Sequence, residues 1–461
     1  MARSRGRRTA IRERRTPVAP AKRRHEPKLT TSSLPRWGFP VLVLVCLAAL
    51  ISAGIWSRPA GTPTQLVTGT GTIEHTMVCG GGITGAQSIT SATPTTPVIS
   101  QPISADKPTV VRSQSDQSEP PVAAQWAASA KYLALAPCPE PRADWWFVGI
   151  GGAQTHPATL LLDNPRSGAA VVDVRAFNAT GLVDAPGLRG IRLPAGSRQL
   201  LDLRQEIPSA TDLAVQVVAT RGLVSVTAID QWSSSVIGSR VSDWVPGQPQ
   251  AAADLVLTGL PDQPQQATLL VVNPRDTETI VKVRAIGASG TFTPQGATSL
   301  SVPAQSLASL DLKTAFDGNP LAFRLSSESP VSATIRAVQH QDLVYGQVAS
   351  VLEQAAIGVP PGSQGQVLLS SLGRSGVVQV RFFDRTGQLI GTEMSVSVAA
   401  ATTSGVDLPA NTAAIRLRSK AATHPEGIVA GLSVTRGRGL AGVAFPVPRT
   451  LGRPPAVLPG W

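Results

Sequence analysis

Polar and apolar residues alternate along most of the chain beyond residue 57, with the period of two that is typical of β-strands. Val172, Val174 and Ala176 alternate with Asp173 and Arg175. The same pattern returns at apolar positions Val281, Val283 and Ala285, and again at Val378, Val380 and Phe382. Asn-Pro and Gly turn signals separate these runs, and no sustained helical stripe appears there. The pattern predicts an all-β region built from β-sandwiches.

One stretch breaks the alternation, because Trp37–Trp56 is a run of twenty mostly apolar residues without any charge. A helix of that length reaches about 30 Å, the thickness of the hydrocarbon core of a bilayer. The tryptophans at its ends suit the membrane interface. The run predicts one transmembrane helix, and Ser52-Ala53-Gly54 keeps a cleaved signal peptide open as the alternative.

The β region contains an internal repeat. Residues 158–181 and 267–290 align without a gap and share 13 of 24 residues. A more diverged third copy begins at Val377. We therefore predict a chain of seven segments: a disordered basic tail (1–36), the transmembrane helix (37–56), a Ser/Thr/Pro-rich stretch with a partial β module (57–143), three β-sandwich repeats (144–250, 251–356 and 357–450), and a tail (451–461).

Charge divides the chain at the predicted helix. The first 36 residues contain twelve Lys and Arg against two Glu, which is +10 of the formal net charge of +12. Lys and Arg beside a span stay on the cytoplasmic side, so the N-terminus is expected inside and residues 57–461 outside. The tail has no aromatic residue or folded motif for reading bases, so lipid attraction is favoured over nucleic-acid binding.

Cysteine usage agrees with export. Cys46 lies within the predicted span, which leaves Cys79 and Cys138 as an even pair in an oxidising compartment. We predict a disulfide between them, with two buried free thiols as the alternative. No histidine lies at metal-binding spacing from another, so neither a metal site nor a cofactor is expected.

The search for catalytic chemistry finds no metalloprotease, serine-hydrolase or phosphate-loop motif, and no catalytic residue is predicted. Asp202, Asp311 and Asp407 occupy equivalent repeat positions, which favours strand-end hydrogen bonds over catalysis. His156 precedes a proline at the entry to the first repeat and is expected in a surface loop.

Trp145 and Trp146 are the best binding candidates, because exposed aromatic rings can stack on sugars or anchor a partner. Neighbouring strand residues point to opposite faces, so one ring is expected in the core. The other ring either packs on the preceding module or binds a ligand.

The repeats share Asn-Pro, an alternating strand, a Gly turn and a Leu-Asp-Leu strand, and they resemble the immunoglobulin-like modules found in tandem on bacterial surface proteins. The order of basic tail, single span, Ser/Thr/Pro-rich stretch, Cys138-Pro139 and Trp145-Trp146-Phe147 is similar to an actinobacterial family of membrane-anchored exported proteins of unknown function. This resemblance implies a fold and a location, and it supplies no catalytic residues.

We therefore expect a non-enzymatic, single-pass membrane protein of the cell envelope. Its β modules would lie outside the membrane for a structural or binding role, with cell-wall polysaccharide or an envelope protein as partner and no nucleic acid. The alternative is an exported envelope-polysaccharide hydrolase or a carbohydrate-binding protein.

Overall fold

A computed structural model describes residues 73–93, 96–104, 106–115, 119–233, 235, 237–238, 240–420 and 426–447. These residues form an all-β structure of antiparallel sheets, as the alternation predicts. The predicted basic tail, the Trp37–Trp56 span and the 451–461 tail lie outside the described residues. Within the described ranges, no helix is both long and apolar enough to cross a membrane.

The strands form four β units: an N-terminal unit, followed by a first, second and third unit that correspond to the three sequence repeats. The N-terminal unit contains β1 (Ile73–Cys79), β2 (Gln87–Ser91), β3 (Ile99–Pro102), β4 (Thr109–Ser115), β5 (Val122–Ala128) and β6 (Leu133–Pro137). The first unit contains β7 (Asp144–Ile150), β8 (Gly152–Ala153), β9 (His156–Asp163), β10 (Ala170–Asn178), β11 (Gly181–Val183), β12 (Ile191–Leu193), β13 (Arg198–Asp202), β14 (Leu213–Arg221), β15 (Ser225–Trp232) and β16 (Val241–Val245). One turn of helix, α1 (Leu203–Glu206), follows β13, and a 3-10 turn spans Pro186–Leu188.

The second unit contains β17 (Ala252–Thr258), β18 (Gln266–Val272), β19 (Thr279–Gly287), β20 (Gly290–Phe292), β21 (Ser299–Val302), β22 (Leu307–Asp311), β23 (Ala322–Gln339) and β24 (Asp342–Val348), with a 3-10 turn at Lys313–Ala315. The third unit contains β25 (Gln354–Gly358), β26 (Gln364–Ser371), β27 (Gly376–Phe383), β28 (Met394–Val398), β29 (Thr403–Asp407), β30 (Ala414–Ser419), β31 (Ile428–Arg436) and β32 (Gly439–Ala444).

One strand order recurs in these units. In the first unit one sheet runs β11-β10-β14-β7 and the other runs β13-β9-β15-β16. The third unit repeats this order as β28-β27-β30-β25 and β29-β26-β31-β32. In the second unit the long strand β23 contributes to both sheets, its first half beside β17 and β19 and its second half beside β18 and β24. The N-terminal unit keeps the sheet β3-β2-β5-β6 and pairs β1 with β4.

This order shares its central pairs with an immunoglobulin sandwich and differs at the edges. The pairs β9–β13 and β10–β14 correspond to the B–E and C–F pairs of that fold. In the immunoglobulin fold the first strand lies beside the second, whereas β7 lies in the other sheet beside β14. The strand β15 takes the place beside β9 instead.

The alternating strands bury the positions that the sequence predicts. Val172, Val174 and Ala176 of β10 are buried, while Asp173 and Arg175 are at least partly exposed. The equivalent strands β19 and β27 bury Val281, Val283, Ala285, Val378, Val380 and Phe382. This alternation is confirmed, and each of the three repeated units encloses an apolar core between its two sheets.

The four units contact one another in a closed cycle. Apolar clusters join the N-terminal unit to the first unit at Trp244, the first to the second at Trp146, and the second to the third at Val429. The cycle closes because Leu135 of the N-terminal unit packs in the core of the third unit. The last strand of each unit, β6, β16, β24 or β32, contacts the last strands of two other units. We call these four the inner strands.

The inner strands are buried on both faces, unlike β10 or β19. All six residues of β32 are buried, as are the first four of β6 and the first six of β24. Small side chains let these strands approach closely: a Cβ atom at Gly442 would lie 1.6 Å from the carbonyl oxygen of Gly259. Close packing of backbone on backbone therefore holds the second and third units together.

Candidate functional site

A cavity of about 180 Å³ lies where the four inner strands end. Every unit contributes to its wall: Pro137 ends β6, Val245 ends β16, Val348 ends β24 and Ala444 ends β32. The other ends of three inner strands meet at Asp342, which binds the backbone N–H groups of Leu133 and Leu440. The inner strands therefore run in one direction, with the cavity at their carboxyl ends.

Prolines form much of the cavity wall. They follow or end the inner strands at Pro137, Pro139, Pro246, Pro249 and Pro446. Proline lacks a backbone N–H and cannot continue a sheet ladder, so these residues end strand pairing where the units converge. The space left between the strand ends becomes a cavity with both apolar and polar walls, at a junction between units where binding sites are common.

The polar groups of the cavity are few and mostly paired. His75 Nδ1 lies 2.9 Å from Glu140 Oε1, and the Arg142 guanidinium lies over the Trp145 ring at 5.1 Å. Gln347 Oε1 accepts a hydrogen bond from the backbone N–H of Ala444 at 3.1 Å. Among the described residues that line the cavity, Glu140 is the one carboxylate. The arrangement can bind a ligand, but it does not offer the two facing carboxylates that glycoside hydrolysis needs.

Neither Trp145 nor Trp146 presents the exposed ring that was expected, because both side chains are buried, with exposed fractions of 1% and 2%. Their role in binding stays a prediction. Trp145 lies in the core of the first unit, where its Nε1–H donates to the carbonyl of Val224 at 3.1 Å. Trp146 points to the opposite face, stacks on Phe177 and packs among residues of the second unit. The two rings point to opposite faces of β7, as expected, but the second unit covers the ring of Trp146 on the outer face.

Cys79 and Cys138 form a disulfide. Cys79 ends β1 and Cys138 follows β6, and both are buried beside Met77 and Ala123. Cys138 also lines the cavity. The bond therefore ties the first strand of the N-terminal unit to one wall of the cavity.

His156 is buried at the boundary between the first and second units, so the prediction of a surface loop is wrong. Its Nε2 lies 2.9 Å from Asp230 Oδ2, and its Nδ1 faces the backbone carbonyl of Thr211. Both ring nitrogens face acceptors, which favours the doubly protonated imidazolium. Burial lowers the pKa of His156, but the hydrogen bond to Asp230 and its charge outweigh burial and raise the pKa above the ordinary value.

Tyr345 completes this network from the second unit. Its hydroxyl donates to Asp230 Oδ2 at 2.6 Å, and burial raises the pKa of the phenol well above its usual range. The sequence signal for this network is weak: Asp230 interrupts the apolar run of β15, and its partners come from distant segments. Among the described residues, no group of three or more His, Cys, Asp or Glu side chains is arranged to hold a metal.

Two further buried acids lie near the start of the inner strands. Asp342 accepts hydrogen bonds from the N–H groups of Leu133 at 3.0 Å, Leu440 at 2.7 Å and Leu343 at 2.8 Å. Burial raises the pKa of Asp342 to about 7. Burial also raises the pKa of Asp243 well above its usual range, and the charge of Asp342 adds to this effect.

The acids shared by the repeats have structural roles. Asp202 accepts a hydrogen bond from the N–H of Arg204 at 3.0 Å, and Asp311 accepts one from Lys313 at 2.9 Å. These contacts confirm the predicted strand-end bonds for the first two copies. In the third copy, Asp407 instead accepts from the side-chain amide of Gln366.

Comparison with protein families finds a match over residues 98–409 to the family described as "Family of unknown function (DUF5719)". No curated protein and no solved structure matches the chain.

Proposed function

Because the chain belongs to this family of unknown function, we propose a function from its own residues. The protein is a non-enzymatic, single-pass membrane protein of the cell envelope, and its four β units lie outside the membrane. Its binding site is the cavity at the carboxyl ends of the inner strands. The observation that carries this proposal is the closed cycle of units, which brings all four inner strands together around one cavity.

The proposed location rests on the sequence. The Trp37–Trp56 run is long enough to span a bilayer, and the +10 tail before it favours a cytoplasmic N-terminus. The disulfide between Cys79 and Cys138 is of the kind that persists in oxidising compartments. The resemblance to actinobacterial membrane-anchored exported proteins supports the same location.

The proposed fold class is a tandem array of immunoglobulin-like modules. The central strand pairs of the first unit, β9–β13 and β10–β14, support this assignment. The position of β7 departs from it, and a departure at an edge strand is compatible with the same two-layer core.

The proposed ligand belongs to the cell envelope, either a wall polysaccharide or an envelope protein. Neither tryptophan of the predicted pair is exposed, but Trp145 lines the cavity, so the cavity is the proposed contact site. Among the described residues that line the cavity, Glu140 is the one carboxylate, which supports binding over hydrolysis. Residues 37–461 carry only +2 of the net charge of +12, which supports a partner other than nucleic acid.

Reporter fusions test the location. A reporter that is active only outside the cytoplasm, fused after residue 461 of the full chain, is expected to be active. The same reporter fused after a chain truncated at residue 36 is expected to be silent. Activity of a cytoplasm-only reporter at the C-terminus would contradict the proposed orientation.

Blocking the cavity tests the binding site. Ser350 lines the cavity and is exposed, so Ser350→Trp fills the entrance without changing a buried side chain. The matched control is Ser167→Trp, on an exposed turn away from the cavity. Purified cell wall and isolated envelope proteins serve as probes. We expect the Ser350 variant to lose at least about tenfold in affinity for one probe while the Ser167 variant retains it. Equal affinity of the two variants would remove the cavity as the binding site.

A further inference from the structure

Asp342 is a buried carboxylate shared by three units. It begins β24, and its exposed fraction is 1%. Oδ2 accepts from the N–H of Leu133 at the start of β6 and from the N–H of Leu440 in β32, while Oδ1 accepts from Leu343. One side chain of the second unit thus joins backbone donors of the N-terminal and third units at the point where the cycle closes.

No cation among the described residues balances this carboxylate. Within the described part of the chain, Asp342 forms no ion pair with a Lys, Arg or His. The three N–H donors favour the charged carboxylate, but the cost of burying a charge without a counter-ion outweighs them, and protonation relieves that cost.

The titratable groups around Asp342 do not supply a cation either. Asp243 of β16 supplies no positive charge; burial raises its pKa well above the usual range, and the charge of Asp342 adds to this effect. Tyr132, which precedes β6, has its phenol pKa raised by burial and by the charge of Asp342. The turns before β24 and β32 contain His340 and Arg438, neither of which pairs with Asp342 in the described residues.

We propose that Asp342 is a proton-sensitive clasp that holds the cycle of β units closed when protonated and loosens it when charged. The clasp acts locally, on the contacts of β24 with β6 and β32. Because the far ends of the same strands wall the cavity, loosening the clasp changes the width of the cavity.

The direction of the effect follows from linkage. The pKa of Asp342 is about 7 in the closed structure, above its ordinary value of 3.8, so closing the clasp favours proton uptake. The contribution of Asp342 to closure is fully present below pH 3.8 and is lost as the pH rises through about 7. The protein is therefore expected to hold the clasp closed at acidic pH and to loosen it as the pH approaches neutrality.

Hydrogen–deuterium exchange of the full chain in detergent tests the clasp. Protection of the Leu133 and Leu440 amides is measured between pH 5.5 and 8 and corrected for the intrinsic pH dependence of exchange. We expect the corrected protection of both amides to fall roughly tenfold or more as the pH rises from 5.5 to about 7, and to level off above about 7. Amides within β18, in the core of the second unit, provide the internal control and are expected to keep their protection.

Asp342→Asn is expected to abolish the pH dependence at both amides, because a carboxamide does not titrate. Asp311→Asn is the matched control: an exposed acid of the same unit that also accepts a backbone N–H. Constant corrected protection from pH 5.5 to 8 would overturn the clasp, as would equal loss in β18, which would show global unfolding. If Asp342→Asn does not fold, the wild-type titration and its β18 control still decide the question.

Discussion

Asp230 lies between the first and second units, where its Oδ2 atom contacts both His156 Nε2 and the hydroxyl of Tyr345. Three buried side chains from two units thereby bind one another, while Asp230 Oδ1 has no hydrogen-bond partner among the described residues. Such a network is favourable only when its members are present together, because a buried polar group that loses its partner bears the full cost of desolvation. At the residue scale, polar contacts of this kind join the units beside the apolar clusters between them.

We predict that His156→Gln makes part of the pH dependence of stability disappear. The raised pKa of His156 means that the imidazolium stabilises the folded protein fully below its unfolded pKa near 6.5. That stabilisation is lost as the pH rises through the higher folded pKa. Urea unfolding of both proteins should therefore show a wild-type advantage that is larger at pH 5.5 than at pH 9. The effect of Asp342 is common to both proteins and cancels in the difference. An advantage that grows with pH would contradict the imidazolium assignment.

At the scale of elements, the Asn-Pro motif holds a strand end to the facing turn. Asn164 Nδ2 donates to the carbonyls of Gly168, Leu193 and Pro194. Asn273 makes the equivalent contacts with Thr277, Val302 and Pro303. In the third unit Ser371 takes this place, and its hydroxyl donates to the carbonyl of Arg374 and accepts from the N–H of Ala401. The repeated motif is therefore a structural tie between two strands of opposite sheets.

We predict that Asn164→Ala and Asn273→Ala each lower the free energy of unfolding by about 2 kcal/mol, since each removes a donor from one buried and two part-buried carbonyls. Chemical denaturation, monitored by tryptophan fluorescence, measures the loss. Asn178→Ala is the control: Asn178 caps an exposed turn through Thr180, and its loss should cost about 0.5 kcal/mol or less. Equal losses of unfolding free energy for all three variants would show that the Asn164 and Asn273 hydrogen bonds stabilise the fold no more than the exposed Asn178 turn does.

At the scale of the whole molecule, closure of the cycle makes the units depend on one another. The N-terminal unit lacks counterparts of β10 and β11 among its described strands, and its apolar residues Ile89 and Leu135 complete their burial in the core of the third unit. Chain ends that are far apart in sequence thereby pack together. Long-range contacts of this kind are slow to form, because the intervening chain must be ordered first.

We predict that Gly442→Ala separates the second and third units. The added Cβ would lie 1.6 Å from the carbonyl oxygen of Gly259, and a backbone atom cannot move aside as a flexible side chain can. The expected cost is about 3 kcal/mol or more, measured as a loss of unfolding free energy. Gly168→Ala, where nothing lies within 4 Å of the added atom, is the control and should be nearly neutral. A neutral Gly442 variant would show that this contact is not needed for closure.

Several features of the fold could be predicted from the sequence because they depend on short-range patterns. The period of two in β10, β19 and β27 identifies strands and their buried positions, since alternate residues of a strand share a face. The repeat identifies equivalent turns and the structural role of Asp202 and Asp311. The even cysteine pair points to Cys79 and Cys138, which the structure joins.

The positions of the binding candidates could not be predicted in this way. Trp146 lies on the outer face of its own unit, as the alternation requires, but the second unit covers that face. His156 precedes a proline, yet Asp230 and Tyr345 from distant segments enclose it. Burial of these side chains depends on contacts between units, which a local pattern does not contain.

The sequence by itself determined the all-β class, the repeat and its turns, because hydrogen bonding within a sheet and the chemistry of turn residues act over a few positions. Only the tertiary structure decided that the four units form a closed cycle, that the ends of the inner strands leave a cavity, and that Asp342 lies where three units meet. Those features arise from packing between segments hundreds of residues apart, and such packing depends on the shapes of whole surfaces rather than on any single stretch of chain.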